Sequence, residues 1–464
     1  MLSCIRGQDK IFQRTLGEQK PCAEPLHWSR FVIREETEGG TLLFNALNRI
    51  LAFSDRPEAA LADPAALPRE DAEKLRAWHF LVPESRDEMR FADQMNSVLR
   101  LFHSGEEKKR RRSFTVYTTT ACNARCPYCF EAGCRTVTMT RETAERAVDF
   151  MIAAARGEEL HISWFGGEPL VNAPVIDFIC GRLREQGLAY RSTIITNGYL
   201  WTPEMIRRAA EDWLLKNAQI TLDGTEQIYN EIKNYKSAVG SPYRRVLDNI
   251  GGLLDAGIRV SVRMNLSVEN AEDLLKLVSE LQERFGGREG FRVYTHLLFD
   301  YLLSSENRPL AEYTAPLEAY RKLSLRIEQL GYGKSLRTFD RWVNHCMADS
   351  DGSYVITPDG NLTLCEHFFD EHIVGDLTNG VTDREELLAW KERKGKTQLC
   401  ESCPLYPTCI RLIKCPDEPS NCSELQREII LLDLRCAMRS TWKNREKLNE
   451  TSQDNEQDEE EEHR

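Results

Sequence analysis

From Arg112 to about Leu330, short runs of β-branched and apolar residues alternate with stretches whose apolar positions recur every three or four residues. The runs are FTVYTT, LHISWF, STIIT, AQITL, RVSVRMNL and FRVYTHLLF. Between the first two, Ala144, Ala147, Val148, Met151, Ile152 and Ala155 keep the spacing of one helical face. The same period marks roughly 174–186, 203–215, 243–256 and 270–285. Six strands each followed by a helix predict parallel pairing through right-handed crossovers, an α/β fold built as a partial or complete (β/α)6 barrel. Functional groups of such sheets gather at the C-terminal strand ends.

The pattern changes on either side. Residues 1–110 contain the strand-like WSRFVIREE, TLLFN and RILAF, a helical stretch and LVPES, and predict a small α+β module. Read from the residues alone, it is a cap packed on the barrel. Beyond about Phe339 the chain turns to Cys-rich loops and short hairpins such as YVITPDGNLTLC, then to IILLDLRCAMRS of helical period. The expected divisions are 1–110, a barrel at 111–335, a Cys-rich domain at 336–440 and an acidic disordered tail at 441–464, where Asn449 to Arg464 hold no apolar residue to bury.

At 464 residues and 41% apolar, the chain can bury several cores. No stretch approaches the ~20 consecutive apolar residues of a membrane helix. MLSCIRGQDKIFQRTLGEQK lacks an apolar core followed by a small-residue cleavage site, so a cytoplasmic, reducing setting is expected. Of the net charge of −12, eight acids and one base between Asn449 and Arg464 carry −7. The remaining body is only mildly acidic, which argues against nucleic acid as a partner. The one dense basic run, Lys108 to Arg112, reads as a solvated linker or an anion-binding patch.

Fifteen cysteines in a reducing compartment point to metal ligation or catalysis rather than disulfides. Cys122, Cys126 and Cys129 fall just after the first strand, and seven more lie between Cys346 and Cys422; Cys4, Cys22, Cys134, Cys180 and Cys436 stand apart. The later strand ends carry Gly166-Gly167-Glu168-Pro169, Thr196-Asn197-Gly198 and Asp223-Gly224, and the fifth strand holds Arg263 and Asn265. Each alone is what a strand-to-helix turn needs. Three thiolates from one loop suit a zinc ion with a fourth ligand from elsewhere, such as Cys134, or a cubane iron–sulfur cluster with one iron left open.

CNARCPYC after the first strand, with the aromatic Tyr128 before its last cysteine, resembles the signature of the radical S-adenosylmethionine (radical SAM) enzymes. GGEP at 166–169, ITNG and TLDGTEQIYN resemble later segments of that family. The resemblance implies a [4Fe-4S] cluster on Cys122, Cys126 and Cys129, with Gly166, Gly167 and Glu168 at the methionine end of S-adenosylmethionine. Tyr128, Thr196, Asn197, Asp223, Arg263 and Asn265 are further cofactor-binding candidates. It implies one-electron cleavage of S-adenosylmethionine to a 5′-deoxyadenosyl radical that abstracts hydrogen from a substrate.

Cys346-x13-Gly360-x4-Cys365 and Cys400-x2-Cys403-x5-Cys409-x5-Cys415-x6-Cys422 form a second cysteine region. Alone it would pass for a zinc ribbon. Its order resembles the SPASM extension of the same enzymes, which implies two auxiliary [4Fe-4S] clusters, three clusters in all. By that pattern Cys346, Cys365 and Cys415 hold the first, one ligand short, and Cys400, Cys403, Cys409 and Cys422 the second. Cys436 is expected as a buried core thiol, with ligation as the other reading. Glu366, directly after Cys365, is the catalytic candidate, or else a solvated surface acid. The resemblance implies a ribosomally made peptide with a leader as substrate, an electron donor such as flavodoxin or ferredoxin, and a thioether or other crosslink as product. For the module at 1–110 it implies, beside the cap, a leader-recognition element whose sheet edge takes up the extended leader as an added strand. Formylglycine formation in a sulfatase and a non-catalytic metal-stabilised scaffold are the alternatives.

Overall fold

The computed structural model describes residues 2–7, 24–106, 112–298, 309–334, 336, 346–350, 352–368, 370–393, 395–409, 414–415 and 423–445. The Arg112 end of the basic run is described; the rest of that run, Cys22, Cys422 and the acidic tail beyond Arg445 lie outside, while 441–443 prolong a helix where the tail was expected to begin.

Near the N-terminus, β1 (Leu2–Arg6), β3 (Val32–Thr37), β4 (Gly40–Asn45) and β5 (Leu51–Ser54) form an antiparallel sheet in the order β1-β5-β4-β3. The expected single strand WSRFVIREE is broken: β2 (Leu26–Trp28) leaves this sheet and pairs with β6 (Leu81–Pro83). The break lies at Ser29–Phe31. The Ser29 hydroxyl donates to the buried Glu88 carboxylate, and its carbonyl accepts from the Val32 N–H at 3.1 Å. These side-chain and backbone bonds give the chain a turn in place of a ladder. Helices α1 (Arg69–Ala77) and α2 (Glu88–Glu106) accompany the sheet.

The expected barrel strands form β7 (Arg112–Thr119), β8 (Leu160–Gly166), β9 (Tyr190–Thr196), β10 (Leu215–Thr221), β11 (Arg259–Leu266) and β12 (Phe291–Leu297), all parallel and paired in chain order. Between them run α3 (Arg141–Ala155), α4 (Ala173–Glu185), α5 (Pro203–Glu211), α6 (Glu226–Lys233), α7 (Pro242–Asp255) and α8 (Ala271–Phe285). Thr140, Thr202 and Ser241 cap α3, α5 and α7 through side-chain oxygens that accept N–H groups of the first turn. The helix expected over 203–215 stops at Glu211. Trp213 is fully buried with its indole N–H on Asp177 at 2.7 Å, and Leu214 has φ of 49°, which turns the chain into β10. α6, within the TLDGTEQIYN segment and its extension, has no counterpart among the expected helices.

The sheet does not end at β7. Its second edge pairs in parallel with β13 (Tyr354–Ile356), Val355 opposite Thr115, and antiparallel pairing continues through β14 (Asn361–Thr363), β15 (Gly375–Asp376) and β16 (Gly380–Val381). The Cys-rich region is thus a continuation of the barrel sheet, and Leu362, Leu364 and Val374 share one buried core with the barrel.

α9 (Thr314–Ile327), the short α10 (Arg384–Ala389) and α11 (Gln398–Glu401), and α12 (Glu424–Lys443) complete the described helices. α12 lays Leu431, Leu434, Ala437 and Met438 against Phe31, Ile33 and Phe44 of the N-terminal sheet. Beside this apolar seam Arg439 donates to Glu328 at 2.7 Å and pairs with Glu35 of β3, and Lys443 reaches Glu328 at 3.1 Å. Burial alone would raise the Glu328 carboxyl, yet Arg439 and then Lys443 carry it below its ordinary value. Arg439→Met would leave Glu328, 4% exposed, without its main partner. It is expected to lower the unfolding free energy in urea by about 3–5 kcal/mol. The Glu328 contribution is expected in full above pH 4.5 and lost as acid takes the pH below its depressed pKa.

Candidate functional site

Two backbone hydrogen bonds at the end of β7 place the site. The N–H groups of Gly167 and Glu168 donate to the Thr119 and Ala121 carbonyls, each at 3.0 Å. A Cβ on Gly166, whose φ is 137°, would meet the Thr119 oxygen at 2.1 Å, and one on Gly167 would meet the Thr120 oxygen at 2.5 Å. The two glycines are needed for this approach, which brings the loop carrying Cys122, Cys126 and Cys129 onto the end of β8.

That loop is clamped from the other side by α6. The Arg125 N–H donates to the Lys233 carbonyl at 2.9 Å, the Lys236 N–H to the Asn123 carbonyl at 2.7 Å, and the Lys236 ammonium to the Cys122 carbonyl at 3.0 Å. Under the loop the Lys233 ammonium, 4% exposed, lies 2.9 Å from the fully buried Asp223 carboxylate and 3.0 Å from the Tyr128 hydroxyl, which itself donates to Asp223. Burial opposes the charge on Lys233, but Asp223 and Tyr128 hold its pKa well above the ordinary lysine value. Asp223 also accepts from the Asn265 N–H at 3.2 Å.

Glu168 is fully buried. One carboxylate oxygen accepts from the Thr196 hydroxyl at 2.8 Å and the Leu170 N–H at 3.1 Å, the other from the Asn197 N–H at 2.7 Å. Burial pushes its carboxyl up to about 7 against these donors. Asn197, fixed in this way, donates to the Asn123 side chain at 2.7 Å. Glu168 therefore ties the ends of β8 and β9 to each other and, through Asn197, to the cysteine loop.

A cavity of about 280 Å³ opens above these contacts. Cys122, Cys126, Tyr128 and Cys129 line one wall, with Gly166, Gly167, Thr196 and Asn197 beside them. Arg263 and Asn265 line it from β11, the Arg263 guanidinium donating to Asn265 at 2.9 Å. Glu366 and His367, just past β14, also line it, and the His367 ring lies 4.7 Å from Phe130. The structure thus brings most of the expected site residues to one cavity, but Glu168 and Asp223 are buried among the contacts that support it. Gln219, Thr221, Lys233 and His296 line it without having been expected. For Gln219, Thr221 and His296 the available signal was a polar residue close to the C-terminal end of a barrel strand.

Residues 116–281 match the model of the radical SAM superfamily. Over those residues the barrel carries a radical SAM domain. Radical SAM cyclopropyl synthase TigE of Paramaledivibacter caminithermalis is 27% identical over 160 residues, 28% of this chain and 33% of that protein; the match spans about a third of that relative. AdoMet-dependent heme synthase of Methanosarcina barkeri is 23% identical over 311 residues, 61% of this chain and 86% of that protein. The solved structure of anSMEcpe with bound AdoMet and Cp18Cys peptide shares the fold, with a TM-score of 0.55 at 15% identity over 73% of this chain and 100% of that one.

The donor set of the radical SAM domain fits an iron–sulfur cluster better than a single ion. Among the described residues no three His, Cys, Asp or Glu side chains converge as one metal ion requires. The three thiols instead line a shared cavity, and Cys134, the fourth ligand a zinc reading would need, is exposed and outside that lining. Burial pushes the Cys122 thiol up to about 12, although the Ala124 N–H donates to its sulfur at 3.4 Å, and burial also raises Cys129. Burial thus opposes ionisation of both thiols, and a bound cation would offset it.

The later cysteines divide between two cores. Burial raises the Cys365 thiol, with Glu366, Cys346 and Cys415 adding to the effect, so these three cysteines share one neighbourhood. Cys400 and Cys403 pack instead against the core under the N-terminal sheet, and Cys409 is half-buried. Cys436 is buried on α12, 3.1 Å from an Arg439 nitrogen.

Cys126→Ala is expected to abolish formation of 5′-deoxyadenosine from S-adenosylmethionine under anaerobic reduction, while the fold, read by circular dichroism, is retained. Undiminished product would remove this loop from the chemistry. Glu168→Ala orphans three donors and is expected to cost about 3 kcal/mol or more in thermal unfolding. A loss of cofactor affinity without any loss of stability would instead make Glu168 a direct ligand.

Proposed function

We propose that this radical SAM enzyme modifies a ribosomally made peptide, closing a thioether or other crosslink, and that its C-terminal region is a SPASM extension with two auxiliary clusters. The observation that carries the reading is the pairing of β7 with β13, which sets Glu366 and His367 on the same cavity as Cys122, Cys126 and Cys129. Cys122, Cys126 and Cys129 would hold the cluster that supplies, when bound, the electron for reductive cleavage of S-adenosylmethionine. Gly166 and Gly167 offer the close backbone wall for the methionine end, and Glu168 positions Thr196 and Asn197 beside it. Lys233 and Asp223 keep Tyr128 and its loop in place from below.

Cys346, Cys365 and Cys415 would hold the first auxiliary cluster, and Cys400, Cys403 and Cys409 with Cys422 the second. Three thiolates at the first leave room for a fourth, and a cysteine of the substrate is the right type of ligand. Glu366, next to Cys365, can accept a proton from a substrate held there. Peptide and reacting carbon would then be joined at close range, which supports crosslinking over a simple oxidation. A leader segment pairing with an edge of the N-terminal sheet and a flavodoxin or ferredoxin as electron donor complete the proposal.

Co-expression with short peptides encoded beside the gene, followed by mass spectrometry, tests it. A loss of two hydrogens with a cysteine blocked to alkylation is expected. A modified peptide whose cysteines all alkylate overturns the thioether and leaves a carbon–carbon crosslink. Conversion of a sulfatase cysteine or serine to formylglycine overturns peptide crosslinking altogether.

A further inference from the structure

The acids around the cavity differ in what they already hold. Glu168 accepts three internal hydrogen bonds, and Asp223 faces Lys233, Tyr128 and the Asn265 N–H. Glu131 and Glu366 line the cavity, and among the described residues neither carboxylate has such partners. Glu131 Oε1 is shut off from solvent, and no group among the described residues donates to it. Glu366 is engaged through its backbone carbonyl, which accepts from the Tyr117 phenol at 2.5 Å. The two acids come from opposite ends of the construction, one just past Cys129 and the other just past Cys365, yet both lie in the electrostatic surroundings of the buried Tyr117.

The two cations of the lining are occupied elsewhere, Lys233 with Asp223 and Arg263 with Asn265. A shielded carboxylate oxygen without a donor is costly, and folded chains keep such groups where a ligand completes them. Phe130, 46% exposed, stands next to Glu131, with the Phe165 and His367 rings 6.5 and 4.7 Å away. Aromatic faces beside carboxylates suit a cation on an apolar stem.

We propose that Glu131, with Glu366, receives a lysine or arginine side chain of the substrate and so selects peptides with a basic residue near the modified position. This rests on the peptide reading above. Glu131 acts here as a specificity-determining residue on the cavity wall.

The test uses N-acetyl-lysine methylamide and its neutral isostere N-acetyl-norleucine methylamide, bound to the iron-loaded enzyme with S-adenosylmethionine present and measured by equilibrium dialysis. The lysine probe is expected to bind about tenfold more tightly, as one charge-assisted hydrogen bond provides. Glu131→Gln should erase that preference with iron content and S-adenosylmethionine affinity unchanged, and Glu366→Gln should reduce it. Equal binding of the two probes, or a preference that survives in Glu131→Gln, overturns the proposal. So does weaker S-adenosylmethionine binding in Glu131→Gln, which would assign the carboxylate to the cofactor. Binding is read without turnover, so a lysine preference in an enzyme that crosslinks no peptide counts against the crosslinking reading alone.

Discussion

Both edges of β7 are hydrogen-bonded in parallel, to β8 on one side and β13 on the other, and the rest of the architecture follows from that double pairing. Had β7 been an edge strand, the cysteine loop at its end would face solvent on one side, and the C-terminal region would be free to sit elsewhere. With both edges filled, the loop emerges in the middle of a ten-stranded sheet. The glycines of β8 approach it from one flank, and the residues after β14 from the other. Arg135 adds surface ion pairs to Asp359 and Asp370 across the same junction, 2.9 Å in the latter case; being half-exposed, they contribute little beside the backbone ladder.

The barrel was legible because its strands are buried on both faces and read as apolar runs separated by helices of clear period, as with Ile162 and Trp164 in β8 or Val260 and Val262 in β11. The cysteine loop was legible from spacing. What the sequence hid depends on partners far along the chain. The turn at Ser29 needs Glu88, 59 residues on, and no local pattern announces it. Lys233 ends a short helix that reads as an ordinary polar segment, and its burial follows from Asp223 and Tyr128, the latter 105 residues earlier. Glu168 is placed at the cofactor by resemblance alone; its donors Thr196 and Asn197 lie at the end of the neighbouring strand, where only a folded sheet brings them.

The electrostatics of the site follow one rule. Charges beneath the cavity are paired and buried, and they stiffen the wall; Lys233 with Asp223 is the clearest instance. Charges on the cavity surface are less fully matched within the chain. Desolvation raises the cost of every unpaired group there, so the same low-polarity setting that suits radical chemistry also sharpens recognition of whatever enters. Rigidity and selectivity thus come from one distribution of carboxylates.

The seam between α12 and the N-terminal sheet has a consequence for the order in which the chain matures. Glu35 and Arg439 are 404 residues apart, and Phe31, Ile33 and Phe44 share their core with Leu431, Leu434 and Met438. At about 5–20 residues per second, the ribosome takes roughly 20–80 s to reach the second half of that core after making the first. Throughout that interval the apolar face of β3 and β4 lacks the part of its native cover that α12 supplies. The growing chain therefore has to be shielded for most of its synthesis, and a truncation that removes α12 exposes a sticky sheet rather than a smaller stable protein.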